Sequence, residues 1–456
     1  MLWDHFGTRS CLRLLNTPHI QFKISSIKVA MHSIKAKITN LLQKALFRDT
    51  LWMLIAQVIG IFLQMAYFMI VARVLGIEQY GSFSGVLALA FVASPFSGLG
   101  SGDVLVQNAS RDPSLFRQYW GNSLFTIFIT SLLLSGLAVV ISPLIFHQTI
   151  SPLLVFLVCI ADLFFLRVWI TASGALLSQN LANKAAQIKV FHNFSKLLAA
   201  LVLITFFQQP SILTWGWLYL LGTATSGIVS FLLVCRILGL PQLNLQRLIP
   251  QLTPGFYFSI NSSATTVNAH ADKMMLASLS TLTATGSYAA AYRFIDVGYF
   301  PIFAISNAAY ARFFKEGATG IKGSLNLAKK IMPFIGLYGV VAMIGYLLFA
   351  PVIPWILGEE YTESIAALRW LSPFHLLFVF QYLAADTLTG AGFNKWRSII
   401  QVFAALLNVL LNFWLIPLYS WRGAAWATLA SIGFQTLGLW LLVYFFYQQQ
   451  NRSELD

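Results

Sequence analysis

Charge is what this chain has least of. Of its 456 residues, 10% are Asp, Glu, Lys or Arg, against about 25% in soluble domains. Mean hydropathy is +0.73. Too few charged groups remain to cover a soluble surface, so the chain is a polytopic membrane protein. Acid is scarcer than base, with 15 Asp and Glu against 29 Lys and Arg and a net charge of +14. Most of the basic residues sit in short loops between apolar runs, which argues against a nucleic-acid partner. Cysteine is nearly absent. Cys11, Cys159 and Cys235 are scattered, with no Cys-x-x-Cys, and offer neither a disulfide framework nor a zinc site. No Walker A run is present, so ATP hydrolysis by the P-loop route is excluded. No His-x-x-x-His or cysteine cluster suggests a metal centre, and no cofactor is called for. No outer loop exceeds about a dozen residues. That excludes a folded extracytoplasmic domain and weighs against a membrane glycosyltransferase or ligase.

The first fifty residues hold eight Lys or Arg and two Asp. They lack the apolar core of about 7–15 residues that a secretory signal needs. Residues 1–50 therefore read as a basic cytoplasmic tail, the alternatives being an organelle transit peptide or a true start at Met31. MHSIKAKITNLLQKALF then forms a basic amphipathic lead-in.

What is abundant is apolar sequence, 58% of the chain. The hydropathy predicts an all-α integral membrane fold of twelve spans. They fall at about 51–74, 80–105, 118–142, 152–176, 187–207, 213–236, 255–279, 286–310, 331–356, 365–389, 398–418 and 422–447. Ser94-Pro95 and the glycine-rich run 98–103 interrupt the second. Pro301, Pro351 with Pro354, and Pro373 fall within or near the ends of the eighth, ninth and tenth, where lined cavities tolerate broken helices. With the amino end inside, inner segments hold 22 of the 29 basic residues and outer loops hold two, Arg73 and Arg422. Both termini are therefore expected on the cytoplasmic side.

The spans divide into two halves, 51–248 and 249–447, followed by a tail at 448–456. Shifting ARVLGIEQYGSFS (72–84) by 205 lays Gly81 on Gly286 and Phe83 on Tyr288. A shift of 211 lays Asn183-Lys184 on Asn394-Lys395. Six spans per half is an even number, so the two six-helix halves are related by an axis along the membrane normal.

The hairpin from Gly255 to Tyr310 carries unusual polarity. Asn261, Thr265, Asn268 and Asp272 share one helical face, and Arg293 and Asp296 share another. A turn centred near Leu282 and Thr283 puts Asp272 and Arg293 at similar depth, so they are expected to face each other or a water-filled interior. Asp162 and Arg167 share the fourth span at a spacing that makes them a poor mutual pair. Lys189, His192 and Lys196 form a basic face on the fifth, with Lys189 snorkelling to the inner interface and Lys196 deeper. Arg369 sits near the outer end of the tenth, and Asp386 near its inner end reads as a loop-capping acid. Gln401, Asn408 and Asn412 make a polar face on the eleventh, as amides that join helices.

Four stretches, ARVLGIEQYGSFS (72–84), SGLGSGDVLVQ (97–107), DKMMLASLSTLTATGSYAAAYR (272–293) and NVLLNFWLIPLYSWRGAAWATLAS (408–431), occur in this order. In them the chain resembles the polysaccharide flippases, of O-antigen and teichoic-acid type, of the multidrug/oligosaccharidyl-lipid/polysaccharide exporter superfamily. It departs in having Tyr-Ser-Trp-Arg-Gly where a glycine-containing turn usually precedes the last span. The resemblance implies a transporter, not an enzyme. It would carry a polyprenyl-pyrophosphate-linked oligosaccharide from the cytoplasmic to the outer leaflet of a bacterial inner membrane by alternating access. The substrate-binding residues would be Arg293, holding pyrophosphate, with Lys196, Asn268 and Arg369. Asp272, Asp296, Asp162 and Arg167 would couple or gate. The implied partners are the lipid-linked oligosaccharide, the bilayer, a coupling cation (proton or sodium), and glycan polymerase and glycosyltransferases. Two alternatives stay open: an ion-coupled drug antiporter of the same superfamily, and a polysaccharide polymerase or ligase, for which no catalytic acid/base pair is identifiable.

Overall fold

The structure is a computed structural model that describes residues 18–453, with side-chain surroundings given from Arg48 onward. The tail readings for residues 1–17 and 454–456 lie outside the described residues. Every regular element described is helical. In the first half these are α1 (Pro18–Ala93), α2 (Ser101–Ala109), α3 (Phe116–Ile145), α4 (Pro152–Cys159), α5 (Arg167–Ser178), α6 (Ala182–Phe206) and α7 (Ile212–Leu238). The second half comprises α8 (Leu245–Leu279), α9 (Leu282–Gly317), α10 (Ile321–Phe349), α11 (Val352–Leu357), α12 (Glu363–Leu371), α13 (Phe374–Gly390), α14 (Asn394–Tyr419) and α15 (Trp421–Ser453).

Eight helical stretches among the described residues are long and apolar enough to cross a membrane. One of them, Arg48–Phe96, has 49 residues, about twice what a bilayer needs. It turns a corner at Gly76, where φ is 75°, and supplies two passes. The predicted spans that miss the criterion are instructive. The seventh and eighth, α8 and α9, are the polar hairpin. The tenth is cut at Pro373 into α12 and α13. Counting these, the helices trace the twelve passes in two six-helix halves.

The breaks follow local chemistry, with one exception. The second pass stops at Ser94–Phe96 and resumes at Ser101. Pro301 does not interrupt α9, which runs unbroken to Gly317. A break without a sequence signal occurs in the fourth pass, where Ile160–Leu166 is a π-helical turn joining α4 to α5. Such turns insert one extra residue and are frequent at functional sites.

The halves meet where α1, beyond its corner, runs against the start of α9. A Cβ on Gly81 would lie 1.9 Å from the Leu282 carbonyl oxygen, and one on Gly286 would lie 2.1 Å from that of Ile77. Both pairs, Ile77 with Leu282 and Gly81 with Gly286, are separated by the same 205 residues as the internal repeat. The contact is thus reciprocal, and a pseudo-two-fold axis passes through it. Only glycine permits so close an approach of two backbones.

This seam sets the first test. Gly81→Ala should lower thermal stability in detergent by roughly 1–3 kcal/mol. Gly136→Ala, where an added Cβ meets nothing within 4 Å, should leave it unchanged. Equal melting of the two variants would remove the seam from the account.

Candidate functional site

A cavity of about 900 Å³ lies between the halves. One wall is a single face of α1, carrying Gln57, Ile61 and Gln64. The facing wall is α9, carrying Arg293, Asp296 and Phe303, and α6 adds Lys189. The spacing of 57, 61 and 64 is helical, so a polar stripe was readable in the first span but passed unnoticed. The rest of the lining is largely apolar, with Leu54, Met65, Val297 and Phe300.

The cavity is open at one end and sealed at the other. At the far end the halves are bonded directly. Tyr361 Oη donates to the Ala72 carbonyl at 2.8 Å, Arg73 Nη1 to that of Ile356 at 3.1 Å, and the Ile77 amide to Glu360 Oε2 at 3.1 Å. Ser278 Oγ donates to the Ile145 carbonyl at 2.6 Å. At the near end the internal repeat locates the mouth. Leu99 and Gly100 press their backbone on Gly255, with an added Cβ falling 2.1–2.2 Å from a carbonyl oxygen. Moved by 205 residues, Gly255 becomes Thr50 and Leu99 becomes Ala304. Those two residues line the cavity. One seam is shut and its pseudo-symmetric counterpart, between α1 and α9, is open.

Arg293 lines this cavity, its side chain 19% exposed, with Asp296 Oδ2 at 3.8 Å. The hydroxyls of Tyr67 and Tyr80 lie beside its guanidinium. A smaller polar cavity, about 40 Å³, shares Arg293 and Asp296 and extends to Ser84, His270 and Lys273. His270 is stacked on Phe91 with ring centroids 4.5 Å apart.

The expected pairing of Asp272 with Arg293 does not form. Asp272 is buried and accepts from Tyr288 Oη at 2.7 Å, with Lys273 Nζ at 3.3 Å. Lys273 also donates to the Ala269 carbonyl at 3.0 Å and lies 3.5 Å from the centre of the Tyr292 ring. The reason is the turn, which falls at Ser280–Thr281 rather than at 282–283. That shift brings Tyr288 to the depth of Asp272 and leaves Arg293 about 6 Å deeper.

Lys196 and Asp162 meet in the first half. Lys196 Nζ donates to Tyr219 Oη at 3.1 Å, and Tyr219 Oη donates to Asp162 Oδ1 at 2.8 Å. All three are buried. Among the described residues Asp162 Oδ2 has no hydrogen-bond partner, and Asp162 sits on the π-helical turn. Lys196 is thus outside the cavity's lining, whereas Lys189 is within it. Lys189 is hydrogen-bonded to Gln57 rather than reaching to an interface. Arg167, at the start of α5, has Asp103 as its electrostatic neighbour. Asn268 is half-buried one turn before Asp272, and Arg369 is exposed at the sealed end; neither lines the cavity. Asp386 is buried in α13. Of the amides, Gln401 is bonded to Thr265 across α14 and α8, whereas Asn412 bonds Asn408 within α14 at 2.9 Å.

Residues 46–315 match the family model described as polysaccharide biosynthesis protein. No curated protein matches the chain. Among solved structures, the lipid II flippase MurJ in an inward closed conformation superposes with TM-score 0.69 at 14% identity, over 87% of this chain and 87% of that one. An inward-facing multidrug-resistance transporter of the MATE family, in the MOP superfamily, gives 0.67 at 16% identity over 84% and 94%. An outward-facing MATE transporter gives 0.58 at 16% identity over 88% and 96%. At these identities the likeness establishes the fold, that of MOP superfamily transporters.

The two ion pairs differ in burial, and so in expected cost. Asp272→Asn strands Lys273 and should cost roughly 3–5 kcal/mol of stability. Asp296→Asn, on a carboxylate 44% exposed, should cost no more than about 1 kcal/mol. Thermal unfolding in detergent measures both, and a reversed order would contradict the pairing described.

Proposed function

We infer from one premise, that the chain belongs to the polysaccharide biosynthesis protein family, what its cavity carries: an oligosaccharide linked by pyrophosphate to a polyprenyl lipid. The observation that carries the reading is a half-buried arginine at the inner wall of a cavity whose lining is largely apolar. A pyrophosphate needs a cation in a dry site, where charge-assisted hydrogen bonds are strong. Arg293 supplies it, with Lys189 nearer the mouth. Glycan hydroxyls find Gln57, Gln64 and Asp296. The lipid tail stays in the bilayer by passing between α1 and α9, against Leu54, Phe300 and Phe303.

The cycle follows from the two ends. Substrate enters the open end, which loop charge marks as cytoplasmic in a bacterial inner membrane, with both termini on that side. Charge neutralisation at Arg293 competes with its bond to Asp296. The halves then rock about the Gly81–Gly286 contact, breaking the Tyr361, Arg73 and Glu360 bonds at the far end and closing α1 on α9. Asp162, with one carboxylate oxygen unsatisfied beside Lys196 and Tyr219, is the proposed site of the coupling cation, and Asp272 and Arg167 hold their helices in register. The lipid-linked product leaves in the outer leaflet for a glycan polymerase or transferase. Asn268 and Arg369 are given no contact with substrate in this conformation.

The test is genetic and chemical. In a strain that needs this protein for surface polysaccharide, Arg293→Ala should make lipid-linked oligosaccharide accumulate on the cytoplasmic face, with protein amounts unchanged. Surface glycan should fall at least about tenfold, the loss expected for one charged hydrogen bond. Arg293→Lys should retain part of the function, because it keeps the charge and loses the fork. Normal glycan in Arg293→Ala would overturn the reading. Export of a cationic drug without any change in glycan would favour the antiporter instead.

A further inference from the structure

The turn between α14 and α15 has a backbone that its residue does not favour. Ser420 has φ 54° and ψ −134°, a conformation open to glycine and strained for other residues. This is also where the sequence departs from the glycine-containing turn of the family it resembles. The strain is retained with a hydroxyl in place: Ser420 Oγ is hydrogen-bonded to Ser280 Oγ at 2.7 Å, tying this turn to the one between α8 and α9.

Ser420 lines a pocket of about 430 Å³ at the sealed end of the molecule, remote from the cavity's mouth. It is an open groove, with Thr281, Thr283, Glu363, Tyr419 and Arg422 exposed. Thr281, Thr283, Glu363, Tyr419, Trp421 and Arg422 complete the lining. Trp421 is buried and organises both charges. Its Nε1 donates to Glu363 Oε2 at 3.2 Å, and the Arg422 guanidinium carbon lies 5.3 Å from its ring centre. A carboxylate and a guanidinium are therefore held on one indole, while the Tyr419 ring stays half-exposed beside them.

We propose that this pocket is a carbohydrate subsite on the outer face, which holds one uncharged sugar unit of the transported glycan. Glu363 and Arg422 offset each other, so the lining carries no net charge to favour an anion or a cation, and an apolar ligand would cover the carboxylate, the guanidinium and the Thr283 hydroxyl without bonding them. An uncharged pyranose satisfies all of them: one hydroxyl donates to the carboxylate, its neighbour accepts from the guanidinium, and the C–H face lies on Tyr419. The site would retain the glycan on the outer side after the cavity has opened there. Identifying the ligand as the transported glycan rests on the function proposed above; the sugar-binding chemistry of the pocket does not.

Saturation-transfer NMR on the full chain in nanodiscs tests it, with glucose, N-acetylglucosamine, glucuronate and glucosamine as probes. Glucose or N-acetylglucosamine should receive saturation, and the two charged sugars should receive far less. Arg422→Ala should reduce the signal about tenfold, and Ser420→Gly about fivefold, by loss of one charged and one neutral hydrogen bond. Ser420→Gly relieves the turn, so its melting temperature should not fall, which separates lost binding from lost folding. Arg293→Ala, in the cavity, should leave the signal intact. Saturation that is absent in the wild type, unchanged in both pocket variants, or equal for glucuronate would overturn the proposal. If Arg293→Ala still exports glycan while the pocket variants lose saturation, the transport reading fails and the sugar site stands.

Discussion

Two helices of this protein approach until backbone touches backbone, and the rest of the structure depends on that contact. Gly81 meets the Leu282 carbonyl and Gly286 meets that of Ile77. The contact sits within an apolar cluster that both halves share, with Phe68, Tyr80 and Phe83 from one and Tyr288, Tyr292 and Ile295 from the other. It lies near the sealed end, where Tyr361 and Glu360 bond across to the first half. Away from it the halves diverge, and the space between them is the cavity. The reciprocal geometry also means that each half presents at this contact the counterpart of what it receives.

Burying ionisable groups in a membrane is costly, and here the cost is handled in two ways. Asp272 bonds Lys273 and Tyr288 within the second half, and Asp162 reaches Lys196 through Tyr219 within the first, with Asp162 Oδ2 left without a hydrogen-bond partner among the described residues. Arg293 with Asp296 is different. It is partly exposed, lies between the halves, and has a long ion-pair contact of 3.8 Å, with the Tyr67 and Tyr80 hydroxyls beside the guanidinium. A bond of that kind is the one a substrate can replace. The contrast separates structural charge from available charge more clearly than depth in the bilayer does.

Much of the fold was legible in the sequence because the bilayer enforces it: the spans follow from run lengths, and the repeat from the placement of Gly81 and Gly286. The fine geometry was not. A turn two residues earlier than expected moved Asp272 from Arg293 to Tyr288, because depth along a helix changes by about 1.5 Å per residue and a side-chain contact tolerates little of that. The π-helical turn at Ile160–Leu166 left no mark in composition. Hydropathy makes Lys189 a snorkelling lysine because it reports distance from the membrane centre, whereas its surroundings depend on which side of α6 faces α1. Gln57 and Gln64 were visible as a stripe, yet a stripe of amides alone does not say whether it faces a cavity or another helix.

The asymmetry between the two seams links architecture to mechanism. Were the halves related by perfect symmetry, closure of Leu99–Gly100 on Gly255 would require closure of Ala304 on Thr50. The chain breaks the equivalence in sequence: glycines stand at 100 and 255, where backbones meet, and residues with side chains stand at 50, 304 and 305. The glycine seam packs backbone to backbone, whereas the other must keep its side chains apart or repack them. The opening between α1 and α9 is therefore lateral and lies on one flank, and Arg293 projects from the helix that forms that flank.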